Sequence, residues 1–201
     1  MKKWFAILLA ALLMMGAAGA EDAAFDMNSL AGKGFLFSSG VGAWYTELRF
    51  GENGTFTGVY HDSDMGDTGK DYPNGTVYEC LFHGTLEAGE PISEYGRKLH
   101  VKELAVDAGQ KESRFEDGIR YLLSGMYGLE GADTLVLYAP ATPVYAIPEE
   151  SRFWLHLEEG QDKTLDWALL NPEDGSLFIC DGDLIEEPTA APAEDGTPQN
   201  G

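Results

Sequence analysis

Only two cysteines, Cys80 and Cys180, occur in 201 residues. The chain therefore has neither the framework of a disulfide-stapled domain nor a CxxC zinc knuckle. Basic residues are scarce: 13 lysines and arginines stand against 34 aspartates and glutamates, for a net charge of −21. Such a charge repels phosphate backbones and acidic lipid, which argues against nucleic acid and anionic membrane as partners. It suits solubility outside the cell, divalent cations or a basic partner. The histidines, His61, His83, His100 and His156, share no ligand spacing, and no nucleophile–base motif occurs. Neither a zinc site nor a Ser-His-Asp triad is written in the sequence. Carboxylate pairs of the glycosidase kind can be drawn anywhere in so acidic a chain and single out no position.

Long apolar runs are also missing, with one exception. Lys2 and Lys3 precede an apolar run over residues 4–15, and Ala18-Gly19-Ala20 stands just before Glu21. This basic, apolar and small-residue order predicts a secretory signal peptide over residues 1–20, and its run is too short to cross a bilayer. The expected location is secreted, extracellular. Glu21 and not a cysteine stands directly after Ala20, so no lipid anchor is expected there.

Glycine and aromatic residues are plentiful, which favours short strands and turns. Residues 21–34 read as a loose lead-in, and residues 35–37 begin an extended run. The clearest alternation follows: Trp44, Thr46, Leu48 and Phe50 face one way, and Tyr45, Glu47 and Arg49 the other. Gly51-Glu52-Asn53-Gly54 reverses the chain, and Phe56, Gly58 and Tyr60 continue the inward face. Residues 77–86 give a third strand with Tyr78, Cys80, Phe82 and Leu86 inward. Residues 98–106 give a fourth, whose parity shift between Val101 and Leu104 predicts a bulge. Residues 108–116 read as loop or brief helix, 119–123 as a weaker strand, 125–133 as loop and 134–139 as a buried strand. Pro148 with Glu149 and Glu150 predicts a short helix anchored by Phe153, Trp154 and Leu155. A final hairpin spans 164–170 and 176–180. Residues 186–201, rich in proline and acids, read as a disordered tail. About eight strands joined mostly by short turns predict an all-β, antiparallel up-and-down barrel over residues 35–185, with one short helix.

Two resemblances attach to these segments. Gly42-Ala43-Trp44, at the start of the expected first strand, is similar to the Gly-x-Trp signature of lipocalins and the wider calycin barrels. That resemblance implies a tryptophan plugging one end of the barrel and an apolar ligand at the other. FSSGVGAWYTEL, YHDSDMGDTGKDYPNGTVYEC and YGLEGADTLVLYAPATPV resemble a family of uncharacterised secreted proteins and lipoproteins of Firmicutes-type bacteria. It implies an extracellular β-rich domain and carries no activity with it.

Two candidate sites follow from the residues. Trp44, Phe56, Tyr60, Tyr78 and Phe82 share the predicted interior, either as filler or as the wall of a pocket for a small apolar molecule. Asp62, Asp64, Asp67 and Asp71 crowd one glycine-rich loop, either as oxygen ligands for Ca²⁺ or as caps of Asx turns. The loop is no EF-hand, because Pro73 stands where the bidentate glutamate is needed. In a simple meander Cys80 and Cys180 lie three strands apart, roughly 14 Å, too far for a bridge. The functional expectation is a non-enzymatic binding or interaction module. The alternatives are a glycan-directed hydrolase of the cell surface, or a structural or inhibitory protein working through a cation-supported acidic loop.

Overall fold

The computed structural model describes residues 25–40 and 42–181. The expected signal peptide and tail lie outside these residues. Ten strands form one sheet: β1 (Gly34–Ser38), β2 (Trp44–Phe50), β3 (Thr55–Asp64), β4 (Thr76–Pro91), β5 (Gly96–Val106), β6 (Ser113–Glu116), β7 (Ile119–Leu123), β8 (Thr134–Tyr138), β9 (Ala168–Leu170) and β10 (Leu177–Cys180).

Eight of them close into an antiparallel barrel, in the order β1-β2-β3-β4-β5-β8-β9-β10 and back to β1. Each barrel strand neighbours the next in the chain, save that the β6–β7 hairpin is inserted between β5 and β8. The expected up-and-down barrel is therefore present, but with one exchange of members. Residues 34–38, read only as an extended run, form β1, and Trp44 opens the second strand. The weak strand over 119–123 is β7, which leaves the ring and pairs in parallel with residues 76–79 of β4. Its partner β6 lies in a segment expected to be loop or helix.

Local chemistry explains most of the register. Asn53 (φ 56°) and Gly54 (φ 75°) make the β2–β3 reversal, a left-handed pair that glycine and asparagine tolerate. Glu103 pairs with Thr85 while Val101 pairs with Leu86, so Lys102 is the extra residue of the expected bulge. That bulge lets Leu99, Val101 and Leu104 all pack against the core despite their mixed parity.

Two apolar clusters result. The larger fills the barrel and includes Phe35, Phe37, Leu48, Phe50, Phe82, Leu99 and Phe178. The smaller lies outside, where Ile147 and Leu155 from the β8–β9 connection cover Val136, Tyr138, Ala168, Leu170 and Leu177. The expected short helix is a 3-10 segment, Glu149–Leu155, in that cover. Trp154 and Leu155 pack inward as expected, whereas Phe153 points out and is 73% exposed.

Candidate functional site

The barrel interior is the first candidate. All five predicted pocket residues meet there: Phe56, Tyr60 and Phe82 are buried, and Trp44 and Tyr78 pack partly buried against them. Small and large residues alternate across the wall. Gly58 is paired with Phe82 and Gly84 with Phe56. A Cβ at Gly58 would lie 2.2 Å from the Phe82 ring, and one at Gly84 would lie 2.4 Å from the Phe56 ring. The rings thus occupy the space that larger cross-strand neighbours would need.

Both ends are covered. At one, the 3-10 helix Met27–Leu30 buries both of its terminal residues against the core. Residues 27–30 of the expected loose lead-in are therefore ordered against the barrel, pinned where Asn53 N donates to Asn28 Oδ1 at 2.8 Å. At the other end the β7–β8 connection folds over the rim. Leu129 is fully buried in the core cluster, and Tyr127 packs on Phe37, Trp44 and Tyr60 with ring centroids 5.7, 5.2 and 5.6 Å away. Thr46 Oγ1 donates to Tyr127 O at 2.7 Å, and Asn171 Nδ2 donates to Gly128 O at 3.0 Å. Burial, together with the charges of Asp62 and Glu130, pushes the Tyr60 phenol up to about 12.

The acidic loop is the second candidate. Its carboxylates turn to local partners. Asp64 Oδ1 accepts from Gly66 N (2.9 Å) and Asp67 N (3.1 Å), an Asx turn. Asp62 Oδ1 accepts from Ser63 N at 2.7 Å. Asp67 pairs with Arg120, whose guanidinium also stacks on Tyr72. Asp71 is exposed. Among the described residues no three histidine, cysteine or carboxylate side chains converge as a metal cluster. Asp67–Arg120 and Glu79–Arg114 instead tie the β6–β7 hairpin to the β3–β4 connection and to β4.

Outside the barrel, His83 Nδ1 lies 2.5 Å from Asp107 Oδ1. The carboxylate raises the His83 pKa above its ordinary 6.5. Cys80 sits on β4 and Cys180 on β10, four strand steps apart by either route around the ring. The expected separation thus becomes the largest the barrel allows. Both thiols are free and buried, and burial pushes Cys180 up to about 11.

Sequence reasoning missed Tyr127, Gly128 and Leu129, which close one end. Their signal was three large apolar residues, Met126, Tyr127 and Leu129, in a glycine-rich segment that a solvated loop would not carry. It also missed the groove beside β10, whose residues come from two distant segments.

Fold and site together define a closed eight-stranded antiparallel barrel with a side-chain-filled interior and capped ends. No protein-family model, curated protein or solved structure matches the chain.

Proposed function

We propose that the chain is a secreted, non-enzymatic interaction module that engages its partner with the outside of the barrel. The observation that supports this reading most is the filling of the interior: Phe35, Phe37, Phe50, Phe82 and Phe178 are all fully buried there. A narrow barrel packed with rings leaves the scaffold rigid and moves recognition to loops and outer faces. The strongly acidic composition favours basic partners over anionic ones. The secreted location rests on the residue pattern at positions 1–20.

An environment-sensitive apolar fluorophore tests the reading. The expected result is no saturable binding inside the barrel and no quenching of Trp44. Stoichiometric binding with quenching of Trp44 would transfer the function to an interior apolar ligand.

A further inference from the structure

We propose that the groove between residues 155–166 and the outer face of β10 docks a basic peptide segment carrying an apolar anchor side chain. This rests on the outer-surface reading above. Ile179 packs at the edge of the cover over β8, β9 and β10 and is left half-buried beside Leu36 of β1. A groove of about 570 Å³ opens there. That volume lies within the roughly 300–1,000 Å³ typical of ligand clefts.

Its floor is apolar, made by Leu155, Leu157 and Ile179, and Leu165 stands on its lip 86% exposed. Its rim is acidic: Glu158, Glu159 and Asp166 line it, and among the described residues His156 is the one base that does, with no lysine or arginine. Glu158 and Glu159 are exposed there, whereas the Asp166 carboxylate already accepts from Trp167 N at 2.7 Å, so the two glutamates are the charges left to meet a cationic side chain. The floor selects what the cation is attached to. A bare metal ion gains nothing from leucine and isoleucine, and no ligand cluster converges among the described residues. An anionic lipid surface meets the wrong charge. A second copy brings 34 acids against 13 bases and is repelled as well. A peptide with an apolar side chain between lysines or arginines satisfies both halves of the site, its hydrocarbon on the floor and its charges at the rim.

The probe is a short fluorescent peptide alternating lysine and leucine, titrated into the full chain and followed by anisotropy. Saturable binding that weakens with salt is expected. Leu165→Ser should weaken it about tenfold, equivalent to about 1.4 kcal/mol. Glu158→Lys with Glu159→Lys should weaken it about tenfold or more, whereas Glu112→Lys with Glu116→Lys, just before and on the hairpin attached to β4, should leave it unchanged. Leu165 and the four glutamates are exposed, so unchanged melting temperatures should accompany all the variants.

Failure to bind, insensitivity to Leu165→Ser, or equal weakening by both charge reversals would overturn the groove. So would self-association lost on Leu165→Ser, which makes a second copy the occupant. Entry of the apolar fluorophore into the barrel would instead overturn the reading beneath it. Exclusion of the fluorophore with no peptide binding refutes the groove alone.

Discussion

Replacing Gly58 by alanine asks whether the barrel is full. In an open interior the substitution should stabilise the protein, because glycine within a strand costs about 0.5–1 kcal/mol relative to alanine. In a full one the new methyl meets ring atoms of Phe82 at 2.2 Å, and Phe82 is fully buried directly across from it. Overpacking a core costs about 1–3 kcal/mol. The net expectation is destabilisation by about 1–2 kcal/mol, opposite in sign to the open case. Urea unfolding with an unchanged slope measures it. The clash belongs to one ring, so a double-mutant cycle isolates it. Phe82→Leu alone should cost about 1–2 kcal/mol, and the pair should cost at least about 1 kcal/mol less than the two singles together. A stabilised Gly58→Ala, or strict additivity, would refute the packing argument.

Three further outcomes follow. His83 should titrate above 6.5 by NMR and return towards that value in Asp107→Asn, because the carboxylate holds the imidazolium. Its folded pKa is raised, so the stability it contributes is fully present below the unfolded value and is lost as pH rises through the folded one. A midpoint at or below 6.5 would contradict this. Thiol titration of denatured, unreduced protein should find both Cys80 and Cys180 reactive, and the native protein should react slowly at both; a missing thiol would require a different strand order. Asp64→Ala removes the acceptor of two N–H groups and should cost about 0.5–1.5 kcal/mol, while chelator leaves the melting temperature unchanged. A chelator-dependent drop would instead make the loop a cation site.

Much of the barrel was legible because its signals are local. The alternation from Trp44 to Phe50, the left-handed Asn53-Gly54 turn and the parity slip at Lys102 each depend on a few neighbouring residues. What escaped was set at long range. β1 has too few residues for alternation to distinguish it from a buried run, and it becomes a strand by pairing with both β2 and β10. β7 has ordinary strand composition, yet β4 continues beyond the end of β5 and offers it a parallel edge outside the ring. The pocket residues were correctly grouped by parity. Whether they filled the barrel depended on Gly58 lying opposite Phe82 and Gly84 opposite Phe56, a cross-strand register between β3 and β4 that the alternation within either strand does not fix. The acidic loop misled for a similar reason. Its carboxylates are dense in sequence, but Arg120, more than 50 residues on, claims Asp67.

The central claim, that the interior is occupied by the protein's own side chains, is tested most directly by xenon. Xenon enters dry apolar cavities and shifts the methyl resonances lining them. The account predicts no saturable shift at Leu48, Leu99 or Leu135 under xenon pressure. A saturable shift shared by these three would show an open barrel and contradict it.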